Sequence, residues 1–457
     1  MATTPRAARG HRACAIVVGA GMAGLLAARV LTETFDQVHL LDADRLPSGD
    51  DHRRGVPQSR HPHALLQRGA DVLEHLFPGL RDELTTAGAP VYDHGSTFLM
   101  WFAGAWAPRI DSGLQIQAFS RPLLECRIRS RTLSLPGVIL HPDTIVEGLR
   151  TDRPGRRVTG VDIRRPGHQP TSLEADMVVV AGGRTARLAS WLTAIGRAEP
   201  DIRVVDARTV YASREYTGLP GEWNGLAEMA LAPDTTRGGA VTRIENGRAI
   251  AALHGTAGDR PPTDEAGFLA FARSLGNPLL GELLAAARPV SPVYRCTDMA
   301  NRRIDYHRIP DWPEGLLAIG DTVCSFNPVY AQGMTLAALQ ALELRAFLHP
   351  DRPAPAARVF QRRVRRLLTT PWTLSTCEDL AWSGTGGIAD RTLHRYLRQV
   401  LARIPDDPGL YRRFLRTLHM VASPAGLLRP VPLARSLIAP LAPMTHASLP
   451  ARTKGPR

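Results

Sequence analysis

Runs of apolar residues, and the glycines and prolines between them, divide the chain into elements. Residues 14–18, CAIVV, are apolar throughout, the pattern of a strand covered on both faces of a parallel sheet. Residues 22–33, MAGLLAARVLTE, space their apolar positions as a helix does, and 37–42, QVHLLD, read as a second strand. Strand, helix and strand make a βαβ unit. A loop rich in Gly, Pro and Arg spans 46–60, and 62–76 predicts a helix with Leu65, Leu66, Leu73 and Leu76 on one stripe. Aromatic-rich strands are expected within 97–119, a helix over 121–134 capped by Ser120, and strands at 137–141, 157–164 and 174–181.

Beyond residue 200 the pattern changes. VVDARTVYASREYT and GGAVTRIENGRAIAALHG predict an antiparallel sheet, interrupted by a helix over 265–275. A strand and turn follow at 315–321, and a long helix starts at 333. Residues 355–437 read as helical and arginine-rich, while 349–357 and 448–457 have linker composition. No internal repeat is present. The expected class is α/β. A Rossmann-like cofactor domain (13–200 with 300–348, part of 60–120 facing the substrate) carries an inserted mixed or antiparallel-sheet substrate domain (201–299). A helical region (349–447) follows, with disordered ends at 1–12 and 448–457.

Composition trims the alternatives. With 457 residues, 44% of them hydrophobic, the chain can bury a large core. The formal charge is +13, yet Lys454 is the only lysine. Scattered arginines without an aromatic–basic platform fit a GC-rich coding bias better than nucleic-acid binding. A basic surface still suits an acidic carrier protein or an anionic membrane. Five cysteines (Cys14, Cys126, Cys296, Cys324, Cys377) show no C-x-x-C and no metal spacing, which fits reduced thiols in the cytoplasm and no metal site. No apolar run approaches the ~18 residues of a membrane span. The basic N-terminus leads into a nucleotide motif rather than a secretory signal.

That motif is G-x-G-x-x-G at Gly19, Gly21 and Gly24. It lies between strand and helix, with Asp42 ending the next strand. Gly19 permits the turn, Gly21 admits a pyrophosphate to the backbone, and Gly24 lets helix and strand approach. The helix N-terminus faces the phosphates, and Asp42 accepts from a ribose hydroxyl. An ordinary glycine-rich βα turn is the competing reading, and the strand–helix–acid context disfavours it. The motif does not say which dinucleotide. GDTVCSFNPVYAQGMTLAALQAL, residues 320–342, does. An extended flavin dinucleotide needs a second contact site far along the chain, whereas a nicotinamide alone does not. Asp321 at a strand end suits ribityl hydroxyls. The helix start at Gly333-Met334 offers free N–H groups to the flavin edge that becomes negative on reduction.

These stretches resemble class A FAD-dependent monooxygenases of the para-hydroxybenzoate-hydroxylase type, and within them the bacterial olefin epoxidases of polyether biosynthesis, the monensin and lasalocid type. The resemblance covers most of the chain. It rests on GAGMAGLLAARVL, VHLLDADRLP, RRGVPQSRHPHALLQRG, SRPLLE, ADMVVVAGGRTAR, GLLAIGDTVCSFNPVYAQGM and PWTLSTCEDL. By position it implies an ADP site at Gly19, Gly21, Met22, Ala23, Gly24 and Asp42, with Val146, after a short strand, beside adenine. It implies Arg54 and Gln58 along the flavin, Arg121 near the pyrophosphate or ribityl chain, and Asp321 on the ribityl chain. Pro328, Gly333 and Met334 would meet the ring. Three positions depart from the family pattern: Ala331 replaces a glycine, Gly182 a small polar residue, and Cys377 a glycine.

The implied activity is epoxidation of an alkene in a large apolar polyketide or terpenoid, through a flavin C4a-hydroperoxide. The reductant would be NADPH or NADH, transient or through a partner flavin reductase, and an acyl carrier protein is a candidate partner. Halogenases of this fold carry W-x-W-x-I-P, which the sequence lacks. Ala331 motivates an alternative, a non-redox flavin-scaffold cyclase of [4+2] type, and a prenyl-chain reductase is a further one. No catalytic side chain is implied. The pocket candidates are His61, His63, Tyr330, Ala331 and Trp101, with Phe102 and Trp106 as further wall residues. Each has a structural counterpart reading, as helix-entry histidine or strand core. Glu378 and Asp379 read as helix-cap residues rather than acid–base groups, and Cys324 as a small packed residue.

Overall fold

The computed structural model describes residues 13–102, 104–153, 155–297, 299–349 and 355–428. The expected disordered ends, and the helical expectation beyond 428, lie outside the described residues.

Five parallel strands form the base, in the order Leu316–Ala318, Met177–Val180, Cys14–Val18, Gln37–Leu41 and Val138–His141. Cys14–Val18 is buried along its whole length at the centre of this sheet, as an unbroken apolar run requires. Helices Met22–Leu31 and Gly333–Phe347 pack together on one face. Ser120 caps Arg121–Leu133, its Oγ accepting from Leu123 N at 3.3 Å.

A second, eight-stranded sheet is built on Val210–Thr217, Arg248–Gly255, Arg237–Arg243 and Gly225–Glu228, antiparallel in that order. Phe98–Phe102 extends it in parallel beside Gly225–Glu228. Strand alternation sorts its faces. Ala249, Ala251 and Leu253 pack under helices Glu265–Arg273 and Leu279–Ala286, while Ala252 and His254 face a cavity. Helices Ala357–Leu367, Thr369–Ser383, Ile388–Arg403 and Pro408–Leu418 close the far side of that cavity. Their core joins Val400, Tyr411 and Leu415 to Met100 and Phe102 of the sheet.

The chain departs from the pattern reading in three places. The helix expected over 62–76 runs from Gln67 to Leu76, because Pro62 disfavours helical geometry at His61 and 62–66 stay extended. The strand expected over 174–181 is two strands, one per sheet. Val146 lies within strand Ile145–Thr151 rather than after a strand. No helix among the described residues is long and apolar enough to cross a membrane.

Candidate functional site

One cavity of about 1200 Å³ runs between the parallel sheet, the large sheet and the C-terminal helices. Its base is the glycine turn. Gly19 has φ +102°, and a Cβ there would lie 2.6 Å from Ala181 O. Gly24 does not line the cavity. It lies behind, where a Cβ would meet Gly19 O at 1.7 Å, so it sets the close approach of helix to turn. Gly21, the helix N-cap, has open space where its side chain would be. A phosphate-sized group can therefore reach the backbone there. Met22, Ala23 and Val146 line the same end.

Asp42 follows its strand and also lines the cavity, but it is not a free acid. Oδ2 accepts Ala20 N at 2.6 Å and lies 2.9 Å from the Arg53 guanidinium, while Oδ1 accepts Asp44 N at 2.8 Å. Arg53 is the hub of this corner. It also donates to Ala20 O at 2.9 Å and Glu125 Oε1 at 2.8 Å. Glu125 in turn accepts from Arg121 at 3.1 and 3.2 Å. Burial pushes the Glu125 carboxyl up, but Arg121 and Arg53 outweigh it and hold the group below its usual range. The sequence reading chose the wrong member of the Arg53-Arg54 pair. Arg54 points to solvent and does not line the cavity, whereas Arg53 is buried against it. Adjacent identical residues carry no sequence signal that separates them. Gln58 and Arg121 do line the cavity.

The second stretch reaches the same void. Asp321, Pro328, Ala331, Gly333 and Met334 all line it. Asp321 lies deep in the protein, yet its side chain is open to the cavity. Burial raises its pKa, and Arg121 and Arg184 pull it back. Among the described residues it has no hydrogen-bond partner, so its acceptor capacity is free for a ligand. Helix Gly333–Phe347 has no side-chain cap at Gln332, and a Cβ on Gly333 would meet nothing. Its first N–H groups are thus available. Ala331 sits at φ 52°, ψ 31°, the left-handed region in which a Cβ costs roughly 1–2 kcal/mol. The turn that normally favours glycine is kept in spite of the methyl group.

The other end of the cavity is apolar, walled by Phe102, Met229, Trp382, Leu397, Leu401 and Phe414. Trp101, a sequence-derived pocket candidate, is not part of this wall. It lies edge to face with Trp106 in the core under the sheet helices, since alternation sends it to the opposite face from Phe102. His61 and His63 do line the cavity. His61 Nδ1 pairs with Ser213 Oγ at 2.7 Å, and His63 Nδ1 lies 2.8 Å from His61 O. A carbonyl only accepts, so His63 carries its proton on Nδ1 and leaves Nε2 as an acceptor. Burial lowers His61 to about 4 and His63 to about 3, so both are neutral near pH 7.

Three acids were misjudged or missed. Glu378 and Asp379 are not caps, because both lie inside helix Thr369–Ser383 and line the cavity. Glu378 Oε1 accepts Ala232 N at 2.6 Å, and Asn301 and Asn327 hold Asp379. Burial lifts Asp379 to about 7. Glu228 was not singled out. It lines the cavity, accepts Gly276 N at 2.7 Å and Asn277 N at 3.0 Å, and is likewise raised by burial to about 7. A lone acid in the apolar run GLAEMALA was the available signal. Cys324 is buried and its thiol is pushed far up, consistent with packing.

With the geometry in hand, known proteins add the following. Residues 17–76 match the family described as NAD(P)-binding Rossmann-like domain. The whole fold is similar to the flavin-dependent brominase Bmp2 (TM-score 0.65, 14% identity, 89% of this chain and 92% of that one). It is also similar to OxyS, anhydrotetracycline hydroxylase from Streptomyces rimosus (TM-score 0.59, 17% identity, 90% and 77%). At these identities the likeness establishes a shared α/β fold. Protein Rv3254 of Mycobacterium tuberculosis (strain ATCC 25618 / H37Rv) is 31% identical over 439 residues, 90% of each chain, and the protein described here belongs to its family.

Proposed function

We propose that the protein is an FAD-dependent monooxygenase acting on a large apolar substrate, and that its reaction is epoxidation of an alkene in a polyketide or terpenoid. The cavity carries this reading. Its base of glycine backbone, free helix N–H groups and Asp321, unpartnered among the described residues, opens directly into an apolar chamber. Ligand pockets commonly run to about 1,000 Å³. A void of about 1200 Å³ leaves room for a dinucleotide and a second molecule.

Bound FAD would supply oxygen transfer once reduced and supplied with O₂. In this reading Asp42, steadied by Arg53, accepts from the ribose, and Gly21 lets the pyrophosphate meet the helix N-terminus. Asp321 accepts from the ribityl hydroxyls, with Arg121 nearby. The Gly333 and Met334 N–H groups stabilise negative charge at the ring edge. Pro328 and Ala331 shape the turn against the ring. The apolar wall excludes water and orients the alkene. His61 and His63, both neutral, are hydrogen-bonding groups rather than cationic acids. NADPH or NADH, direct or through a partner reductase, provides electrons, and a carrier protein is the candidate bearer of substrate.

The test starts with colour. The purified protein should be yellow and release FAD on heating, and NADPH-driven oxygen uptake should rise with apolar polyenes. Product should gain one oxygen atom from labelled dioxygen. A colourless protein that takes up no FAD ends the reading. Ala331 favours one competitor, because its methyl group lines the ring-side turn. Conversion under argon, without reductant, to an isomer of unchanged mass would replace oxygenation by a cyclase reaction.

A further inference from the structure

Helix Thr369–Ser383 presents Pro371, Leu374, Glu378, Asp379 and Trp382 to the cavity. Asp379 is only 4% exposed. Asn301 Nδ2 donates to its Oδ2 at 2.7 Å, and Asn327 Nδ2 lies 3.3 Å from both oxygens. The orientation of each amide is fixed from behind. Asn327 N and Ser375 Oγ donate to Asn301 Oδ1 at 2.9 and 2.8 Å, and Val329 N donates to Asn327 Oδ1 at 3.3 Å. Both Nδ2 groups must therefore face Asp379, and neither amide can accept from it. Oδ2 is engaged by the short bond, so Oδ1 is the oxygen with room for a proton. Among the described residues no group accepts a hydrogen bond from that oxygen.

We propose that Asp379 is a catalytic residue that, in its protonated form, donates a hydrogen bond and then its proton to an oxygen atom of an apolar, oxygen-bearing substrate. The proposal rests on the cavity being a substrate chamber, as argued above. The step balances without any oxidant or reductant. The carboxyl O–H bond breaks and its electron pair stays on Asp379, while a lone pair of the substrate oxygen takes the proton. Asn301 and Asn327 stabilise the resulting carboxylate, and water restores the proton.

The surroundings suit both forms. Burial raises Asp379 most, the Asn327 bond lowers it, Glu378 and Asp206 raise it, and the Asn301 bond lowers it, for a value of about 7. Tyr211, Tyr330 and Cys377, which lie close by, are held neutral by burial. His394 Nε2 faces Glu378 at 3.0 Å.

Infrared spectroscopy of the full chain loaded with FAD tests this. A protonated-carboxyl carbonyl band should be present at about pH 5.5 and lost by about pH 8.5. Glu228, also raised to about 7, adds a component of its own, so Asp379→Asn should remove one component of the band and Glu228→Gln a different one, leaving the Asp379 component in place. The probe is carbonyl-labelled cyclohexanone, small enough to reach any part of the cavity. Its carbonyl band should lie lower at the acid pH in the parent protein, and should not move with pH in Asp379→Asn. Asparagine preserves the shape of the site, and Asp379→Leu, with no donor, gives the unshifted band at both pH values. An unchanged carboxyl spectrum in Asp379→Asn, or a probe band indifferent to pH in the parent, overturns the proposal. Neither result touches FAD binding, and a colourless protein would leave the carboxyl band to be read as before.

Discussion

Glu125, behind the cavity-lining Arg53 and Arg121, and Asp379, on the cavity wall, are almost equally buried, 3% and 4% exposed, yet they shift in opposite directions. Glu125 faces arginines and is held as a carboxylate. Asp379 faces amides and another acid, and burial prevails. The contrast separates the two halves of the site. The end proposed for the cofactor is a charged lattice whose members fix each other. The end proposed for substrate is a hydrocarbon wall with a few acids, where protonation stays adjustable. Burial alone does not set the state of a buried acid. The formal charge of its partners does.

The comparison can be broken at either end. The largest effect should come from Glu125→Ala, which leaves Arg53 and Arg121 buried without their shared carboxylate. A loss of about 3–5 kcal/mol of stability is expected in denaturant unfolding. A loss under about 1 kcal/mol would mean that the lattice is not coupled. Next comes Asp42→Ala. FAD affinity should fall by roughly 1–3 kcal/mol by titration. Because Asp42 also holds Ala20 N, Asp44 N and Arg53, the melting temperature should drop as well.

Separate from these substitutions is a pH dependence. Asp379 and Glu228 are raised from 3.8 and 4.5 to about 7 in the folded protein. The folded state therefore holds protons that the unfolded state gives up. Stability is fully present below about pH 4 and is lost as pH rises through about 7, by up to roughly 3–4 kcal/mol per group. His61 and His63, lowered to about 4 and about 3, gain stability over the same window, so the readout is a difference: the melting temperature of Glu228→Gln/Asp379→Asn relative to the parent should rise from about pH 5.5 to about pH 8. A difference that falls over that window would reverse the assignment of these two acids. The smallest effect is Ala331→Gly. Relief of left-handed strain and the added freedom of the unfolded chain nearly cancel, leaving within about 1 kcal/mol. Oxygen uptake should be little changed; a large increase would show that the methyl group obstructs the ring-side turn.

Much of the cofactor end was legible in the chain because its parts are local. The glycine turn, Ser120 as N-cap and the helix starting at Gly333 each depend on a few neighbouring residues and on backbone geometry. Val146, Asp321 and Met334, expected beside adenine, the ribityl chain and the ring, all line one void. The exceptions were choices that local pattern leaves open. Arg53 against Arg54 is decided by which way a loop turns, and Trp101 against Phe102 by which face of a strand meets the helices.

The sequence by itself determined the βαβ unit, the antiparallel sheet and the helical C-terminus, because periodicity and turn residues act over a handful of positions. It also determined that residue 331 would be awkward, since a left-handed turn penalises any Cβ. Only the tertiary structure decided the chemistry of the acids. Asp379 meets Asn301 and Asn327 across more than fifty residues of chain, and Glu228 meets the Gly276 and Asn277 N–H groups from a distant turn. Proton affinity depends on solvent exclusion and on partners brought together by packing, and neither is written in the residues beside them.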